Sequence, residues 1–442
     1  MIPPKRADAL PPEGADGDLG TAHRSPVIPP KRADALPPEG ADSNPGAARA
    51  TLHHEALWLR SPAAIRERCA NLLAAADAGR TTHFAVDRTK LDACAQLVAE
   101  VTRRRYPSLA IPYHSRWRHF EAGGVDRARE LDRALAGRGT IDAAAARIAL
   151  TIVSVLLDAG AGARWSFAEQ ETGGRYTRAE GLGVASFRAF AAGAFSGATG
   201  DPVRADAHTL ASVDAAALAR VFQASDANPL VGLDGRATLL RRLAGVDERP
   251  STPFHALLRT GGDVPAPALL GVLLDRFGVI WPHGLTLGGV ALGDTWPHPL
   301  AGGAGLTAGH VPFHKLSQWL AYSLFEPFEQ AGLRVVDRDA LTGLPEYRNG
   351  GLLLDTGVLR LREPAEASRR HPVGSEFVVE WRALTVALLD ELAPRVRARL
   401  GRSDLPLACI LEGGTWAAGR ETAARLRGGE PPFIIESDGT VF

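Results

Sequence analysis

Two short polar blocks, separated by an apolar stretch, contain the residue types that could do chemistry in this chain. Residues 310–320 read His-Val-Pro-Phe-His-Lys-Leu-Ser-Gln-Trp-Leu and include His314 and Lys315. Residues 341–351 read Leu-Thr-Gly-Leu-Pro-Glu-Tyr-Arg-Asn-Gly-Gly and include Glu346. The chain between the blocks is long enough for one helix and a turn. We therefore predict that both blocks contribute to one functional site.

Glu346 is a candidate catalytic carboxylate because Tyr347 and Arg348 follow it directly in a predicted loop. A carboxylate in such surroundings can be desolvated and still be charged. Glycosidic cleavage requires a group of this kind to stabilise its oxocarbenium-like transition state. The alternative is a structural ion pair between Glu346 and Arg348. We predict that Tyr347 and Arg348 bind substrate or tune the carboxylate.

Lys315 is predicted to begin a helix whose other face is apolar. A lysine at a helix start opposes the helix dipole, so it needs a local reason. The functional interpretation is a cation that pairs with a catalytic carboxylate or with a substrate phosphate. The alternative is a lysine that reaches the surface or forms a structural ion pair.

A third polar block, residues 111–124, reads Ile-Pro-Tyr-His-Ser-Arg-Trp-Arg-His-Phe-Glu-Ala-Gly-Gly. Together with the first block it supplies the predicted substrate-binding residues His114, Arg116, Trp117, His119 and His314. His310 and His314 are four residues apart, but Pro312 between them argues against a helix. No third ligand stands at a characteristic spacing, so we expect no metal site. We expect the histidines to form hydrogen bonds in a polar pocket instead.

The composition argues against several classes of partner. Basic and acidic residues number 50 each, which gives no electrostatic reason to bind nucleic acid or an anionic membrane surface. The three cysteines are scattered, which suits a reducing cytoplasm. No apolar run is long enough to span a bilayer, and the first residues lack the apolar core of a secretory signal. Glycine pairs lack the context of a dinucleotide site, so no cofactor is expected. We expect a soluble, cytoplasmic protein.

The first part of the chain differs from the rest. Residues 2–16 recur unchanged at 28–42 and are rich in proline, glycine and charge. Such a composition buries too little apolar area to offset the entropy of ordering. We predict that residues 1–52 are a disordered, internally duplicated tail. Residues 56–442 are predicted to be a single large helical catalytic domain.

Helical spacing of apolar residues dominates after the tail. Ser61 followed by proline predicts the start of the first helix. A small hairpin is predicted over 165–176, strands over 351–361, and an edge strand in the segment 433–442. No alternating series of strands and helices indicates a parallel sheet. The predicted fold class is mainly α with small β elements.

Several long blocks resemble one known family in the same order. Besides the three polar blocks, these are Thr-Leu-Gly-Gly-Val-Ala-Leu-Gly-Asp-Thr-Trp at 286–296 and Leu-Glu-Gly-Gly-Thr-Trp-Ala-Ala-Gly-Arg at 411–420. They resemble a family of unknown function, DUF1688, that is connected with an unusual uracil-catabolism pathway in yeasts and bacteria. The likeness covers about residues 56–442. It implies a role in turning uracil-derived ribosyl compounds into urea, with hydrolysis of the N-ribosyl bond of a ribosylurea-type or nucleoside intermediate.

A second resemblance is to the queuosine-salvage nucleoside hydrolases, whose mostly helical fold is similar to that of DNA glycosylases. Residues 313–315 match that family's aromatic-x-Lys block, and residues 341–348 match its Leu-Thr-x-Phe-Ala-Asp-Tyr-Arg block. The resemblance implies that Glu346 is the catalytic carboxylate and Lys315 the catalytic lysine, on a helical DNA-glycosylase-like architecture. This chain departs from the family by having glutamate in place of aspartate. A Ser-Asp pair at a corresponding place adds Asp226 to the predicted substrate-binding residues.

Two hypotheses about function follow. In the first, the protein is an N-glycosidic hydrolase that acts on a small ribosyl substrate, and a histidine of residues 114–119 assists the leaving group. In the second, it is a non-catalytic binding or scaffold protein that passes an intermediate to a pathway enzyme. A metal-free amidohydrolase is weaker, because neither a Gly-x-Ser-x-Gly motif nor a Cys/His pair supports it. Replacement of Glu346 by glutamine separates the first two, because it removes hydrolysis and keeps binding.

Overall fold

Helices account for most of the chain that the computed structural model describes, which comprises residues 45–158, 160–162, 164–281 and 284–436. In chain order they are α1 (Pro45–Trp58), α2 (Pro62–Asp77), α3 (Leu91–Arg105), α4 (Trp117–Phe120), α5 (Arg127–Ala134), α6 (Thr140–Leu156), α7 (Arg178–Ala191), α8 (Ala207–Ala211) and α9 (Ala215–Val221). They continue with α10 (Leu233–Ala244), α11 (His255–Leu258), α12 (Ala266–Phe277), α13 (Lys315–Gln330), α14 (Tyr347–Asp355), α15 (Glu376–Leu400), α16 (Leu407–Ile410) and α17 (Trp416–Arg427). The π-helical segment Leu411–Thr415 joins α16 to α17. The prediction of a mainly α fold is confirmed, and the DNA-glycosylase-like architecture stays a prediction.

The strands are short and form two-stranded pairs. They are β1 (Phe84–Val86), β2 (Ser166–Ala168), β3 (Arg175–Thr177), β4 (Asp263–Pro265), β5 (Thr286–Leu287), β6 (Val290–Ala291), β7 (Thr295–Pro297), β8 (His310–Pro312), β9 (Arg334–Val336), β10 (Leu359–Leu361), β11 (Arg370–Pro372) and β12 (Ile434–Glu436). The pairs β1–β10, β2–β3, β5–β6 and β7–β8 are antiparallel. The pairs β4–β9 and β11–β12 are parallel.

Local signals predicted several of these elements. The predicted hairpin is confirmed, because β2 pairs antiparallel with β3 and Phe167 lies opposite Tyr176. The side chain of Ser61 caps α2 by accepting the backbone N–H of Ala64 at 3.1 Å. The predicted edge strand near the end of the chain corresponds to β12, while residues 437–442 lie outside the described residues. Most of the predicted tail also lies outside them, and α1 begins at residue 45, ahead of the predicted first helix.

The predicted strands over 351–361 are wrong in their first half, because α14 continues to Asp355. Close packing explains the helix. A Cβ added to Gly350 would lie 2.6 Å from an atom of the Trp381 side chain, so α14 approaches α15 more closely than a larger residue allows. A Cβ on Gly419 of α17 would lie 2.2 Å from the carbonyl oxygen of Arg348. Contacts with neighbouring helices therefore override the weak helix propensity of a glycine pair.

The core is centred on α15, which is buried along most of its length and packs against α2 and α3. Helix α6, also largely buried, packs against α13. Within the described part of the chain, no helix is long and apolar enough to cross a membrane.

Candidate active site

A buried ion pair anchors the loop that leads to the site. Asp294, just before β7, accepts two hydrogen bonds from the guanidinium of Arg382 on α15, each of 2.7 Å. The indole N–H of Trp296 donates to the same carboxylate at 2.7 Å. Burial alone would raise the pKa of Asp294, but the charge and hydrogen bonds of Arg382 hold this pKa below its ordinary value. The carboxylate is therefore an ionised anchor.

This anchor sets the position at which α13 begins. The backbone carbonyl of Asp294 accepts the N–H of Phe313 at 2.9 Å, and its carboxylate accepts the N–H of Lys315 at 3.0 Å. His314 lies between them in the left-handed region, with φ of 48°, and its Nε2 lies 2.9 Å from the carbonyl oxygen of Leu59. The prediction that a helix begins at Lys315 is confirmed.

Glu346 is the N-cap of α14. Its two carboxylate oxygens accept the backbone N–H groups of Arg348 at 2.6 Å and Asn349 at 2.7 Å. Burial raises the pKa of Glu346, while these two N–H groups and the charges of Lys315 and His114 oppose that rise. The carboxylate is thus held rigidly in a partly desolvated place, and four electrostatic contacts favour its ionised form.

Lys315 lies within electrostatic reach of that carboxylate. Burial lowers the pKa of Lys315, and the nearby charge of Arg382 lowers it further. Glu346, Asp294 and Asp158 oppose this decrease. Glu346 and Lys315 each favour the charged form of the other. The two polar blocks therefore lie close enough for their charges to interact.

Arg116 is fully buried and pairs with Asp158, whose charge also acts on Lys315. It donates to the Oγ of Ser154 at 2.6 Å and to the carboxylate of Asp158 at 2.7 Å, both near the end of α6. Its Nη1 also lies 2.9 Å from Nδ1 of His119. Burial, followed by the charge of Arg116, lowers the pKa of His119 well below its ordinary value. His119 is therefore a neutral ring near pH 7.

Three buried polar atoms around these residues have no hydrogen-bond partner among the described residues. They are Nη2 of Arg116, Nε1 of Trp319 and Oδ1 of Asn349. Trp319 is one helical turn after Lys315, and its ring lies under the guanidinium of Arg116 at 5.7 Å. Buried polar groups are rarely left unpaired without a reason. Two donors and one acceptor are thus available to a small ligand rich in hydroxyl, amide or phosphate groups.

An open polar cleft of about 390 Å³ adjoins this cluster. His119 lines the cleft and also contacts Arg116, so the cleft borders the buried cluster at this residue. His114 and Trp416 also line it, with ring centroids 5.9 Å apart. The ring of His114 is bonded to Glu412, whose carboxylate oxygen lies 2.8 Å from Nδ1. The cleft is large enough for a substrate of nucleoside size, and it is lined by His114, whose charge acts on Glu346.

The remaining predicted residues have other surroundings. Trp117 is buried and donates its indole N–H to the carbonyl of Ser323 at 3.0 Å, which is a core contact. Arg348 donates to the carbonyl of Gly429 at 3.1 Å, while Tyr347 is partly exposed beside it. Among the described contacts, no ion pair joins Glu346 to Arg348. The roles of Trp117, Tyr347 and Arg348 in substrate binding stay predictions.

Asp226 is exposed on a turn closed by the backbone hydrogen bonds between Ser225 and Asn228. Among the described contacts, none links Asp226 to the cluster around Glu346. The structure thus brings together Glu346, Lys315, Arg116, His119 and His114, and it leaves Asp226 apart. The role of Asp226 in substrate binding stays a prediction.

Sequence reasoning missed several residues of the site. Asp294, Asp158 and Glu412 are carboxylates that lie far along the chain from their partners, at separations of 88, 42 and 298 residues. Asp294 and Glu412 lie in the blocks 286–296 and 411–420 that carry the family resemblance. The family resemblance of these blocks was the one sequence feature that could have pointed to these two carboxylates. It did not indicate that Asp294 pairs with Arg382 or that Glu412 pairs with His114.

One group of side chains in the described part of the chain could hold a metal ion. The ligand atoms of His298, Glu376 and Glu380 lie within 4.8 Å of one another. However, Nδ1 of His298 accepts the N–H of Leu300 at 3.1 Å, so the neutral ring carries its proton on Nε2, which faces Glu380. Glu380 already accepts the backbone N–H groups of residues 82–84. This geometry favours a structural role for the group.

Comparison with known proteins identifies the family of this helical protein. Residues 58–442 match the family model described as "Protein of unknown function (DUF1688)". The chain is 37% identical over 393 residues to Protein urg3 of Schizosaccharomyces pombe, covering 86% of this chain and 96% of that relative. It is 36% identical over 409 residues to Uracil catabolism protein 4 of Lachancea kluyveri, covering 82% of this chain and 93% of that relative. The chain belongs to the DUF1688 family.

Proposed function

We propose that this protein acts in uracil catabolism and hydrolyses the N-ribosyl bond of a ribosylurea-type or nucleoside intermediate. The name of the Lachancea kluyveri relative, which is similar over nearly its whole length, supports the pathway. The observation that carries the reaction is the carboxylate of Glu346. It is held by two backbone N–H groups at the start of α14, is partly desolvated, and lies beside Lys315.

The geometry supports a dissociative hydrolysis. As the C1′–N bond lengthens, positive charge develops on the ribosyl ring, and a fixed carboxylate in a desolvated place stabilises that charge. Glu346 also accepts the proton of the attacking water. Lys315 keeps Glu346 ionised and offers a cation to a 5′-phosphate. The unpaired donors of Arg116 and Trp319 bind the hydroxyl groups of the ribose.

The alternative is a binding protein that passes a pathway intermediate to a partner enzyme. The unpaired buried atoms of Arg116, Trp319 and Asn349 are equally suited to holding a ligand without cleaving it. The two functions place different demands on Glu346. Binding requires a side chain of this size that forms hydrogen bonds, whereas hydrolysis also requires its negative charge.

The test is release of ribose or ribose 5-phosphate from ribosylurea, its 5′-phosphate and a panel of nucleosides and nucleotides, with and without EDTA. Glu346→Gln should lower kcat/KM by about 10²–10³-fold, because it removes the stabilising charge. Ligand binding, measured by thermal shift, should persist. The loss of one cap hydrogen bond should cost about 1 kcal/mol of stability.

The matched control is Asp214→Ala. Asp214 caps α9 by accepting the N–H of Ala217 at 2.6 Å and is exposed. This variant should also cost about 1 kcal/mol of stability and leave turnover within about twofold of the unchanged protein. Turnover that survives in Glu346→Gln would contradict the assigned site. Ligand binding without any turnover in the unchanged protein would favour the binding function.

A further inference from the structure

A histidine–glutamate pair lines the open polar cleft. Nδ1 of His114 is 2.8 Å from Oε2 of Glu412, and the two side chains are only 11% and 7% exposed. Among the described residues, Nε2 of His114 has no hydrogen-bond partner. A carboxylate that accepts the proton of Nδ1 fixes the tautomer and leaves Nε2 as the nitrogen that exchanges protons.

The carboxylate of this pair is held on a rigid element. Glu412 lies in the π-helical segment Leu411–Thr415, and single-turn π-helices within helices are frequent at functional sites. Two glycines let this segment pack closely against its neighbours. A Cβ on Gly414 would lie 2.5 Å from Val98 of α3, and a Cβ on Gly413 would lie 2.9 Å from Ile111. The sequence Glu-Gly-Gly therefore positions the carboxylate by close packing.

His114 is fixed at its backbone as well as at its ring. Its backbone N–H donates to the carbonyl of Ala408 at 3.0 Å, so the same α16–α17 region holds both ends of the residue. The charge of His114 also acts on Glu346, which places the ring on the side of the catalytic carboxylate. His119, the other histidine of the block, is occupied by Arg116 at Nδ1.

We propose that His114 donates the proton that the departing nitrogen needs and that Glu412 is its positioning residue. This inference rests on the proposed function. As the C1′–N bond breaks, its electron pair stays on nitrogen, which takes the proton from Nε2 of the imidazolium. Water adds to C1′ and gives one proton to Glu346, and solvent returns that proton to the imidazole. The products are the free ribosyl compound and the protonated nitrogen leaving group.

The first test compares leaving groups. His114→Gln should lower kcat by about 10²–10⁴-fold on the N-riboside that the protein cleaves, because general-acid assistance is lost. On p-nitrophenyl riboside, whose leaving group needs no proton, the decrease should be within about threefold. Glu346→Gln should lower kcat on both substrates. Replacement of His208, an exposed histidine of α8, by glutamine is the control and should change neither rate.

The second test separates positioning from simple support of the fold. Glu412→Asp keeps a carboxylate that can accept the proton of Nδ1, whereas Glu412→Leu does not. We expect Glu412→Leu to lower kcat by about 10²-fold with KM within about threefold, and Glu412→Asp to retain about tenfold more of kcat. In ¹⁵N spectra of histidine-labelled protein with a neutral ring, His114 should carry its proton on Nδ1 and lose that preference in Glu412→Leu.

The outcomes are distinguishable. If His114→Gln slows both substrates equally, or if Nδ1 is unprotonated in the neutral ring, the proton-transfer role is wrong while hydrolysis by Glu346 stands. If the unchanged protein cleaves no ribosyl compound, the proposed function fails and the role of His114 in it fails too. A large loss confined to the N-riboside, with the expected tautomer, supports the inference.

Discussion

Glu380 and Glu346 both accept backbone N–H groups, and their surroundings differ. Glu380 of α15 is fully buried and accepts three N–H groups from residues 82–84, at 2.7 to 3.1 Å. Glu346 is only partly buried, accepts two N–H groups from its own helix and interacts electrostatically with Lys315 and His114. The three hydrogen bonds of Glu380 join α15 to the start of β1, so this carboxylate is engaged by the protein itself. Glu346 accepts only two backbone hydrogen bonds, so its oxygens can still accept further hydrogen bonds from a ligand.

This difference separates stability from chemistry. A carboxylate whose acceptor sites are filled by backbone donors belongs to the structure, and its removal leaves those donors unpaired. A carboxylate that is fixed and partly desolvated lowers the stability of the folded protein when it is ionised. Groups of this kind are found most often at functional sites. Variants at the two positions should therefore affect different measurements.

The largest expected effect is on stability, in Glu380→Leu. Three buried N–H groups would lose their acceptor, and we expect the free energy of unfolding to fall by about 3–5 kcal/mol. The midpoint of urea unfolding measures this change. The kcat of the fraction that remains folded should be unchanged. A folded variant with normal stability and no activity would reverse the comparison and place Glu380 in the active site.

The next effect is a dependence of stability on pH that arises at Glu346. Burial raises its pKa, so the folded protein binds this proton more tightly than the unfolded chain does. Stability from this group is therefore full below the ordinary pKa of about 4.5 and is lost as pH rises through the raised pKa. The difference in free energy of unfolding between the unchanged protein and Glu346→Gln should shrink over that window.

Activity should change in the opposite direction, because hydrolysis needs the ionised carboxylate. We expect kcat/KM to rise with pH as Glu346 loses its proton, over the same window in which its stability contribution disappears. Urea unfolding and initial rates at matched pH values measure the two trends. A stability difference that is constant with pH would show that Glu346 is not desolvated as the structure describes.

The smallest expected effect is at Asp226, which lies on an exposed turn. Asp226→Asn should leave kcat/KM within about twofold and the free energy of unfolding within about 0.5 kcal/mol, as is usual for surface changes. A tenfold loss of kcat/KM with normal folding would show that this turn reaches the substrate and that the resemblance to the nucleoside hydrolases extends to it.

Much of the site could be inferred from residue types and spacing. Glu346 and Lys315 were predicted to act together because only one helix and a turn separate their blocks, and in the structure each favours the charged form of the other. Their partners could not be inferred. The sequence does not indicate that Asp294 pairs with Arg382 or that His114 pairs with Glu412. The members of each pair are far apart along the chain and meet only when the core packs.

The error at α14 has the same origin. Leucines and glycines over 351–361 favoured strands, and nothing local indicated that Glu346 would cap a helix there. Gly350 lies against Trp381, and Gly419 lies against the backbone of Arg348. Close packing of α15 and α17 against α14 therefore stabilises the helical conformation of this segment. Propensity is a weak guide wherever close approach of two helices decides the backbone.

By itself the sequence determined the features that depend on neighbouring residues. The cap of Ser61 on α2, the β2–β3 hairpin and the start of α13 at Lys315 follow from hydrogen bonds and steric limits within a few residues. Only the tertiary structure decided which carboxylates are structural and which are available for chemistry. That distinction depends on burial and on partners contributed by distant segments, and these arise only when the core has formed.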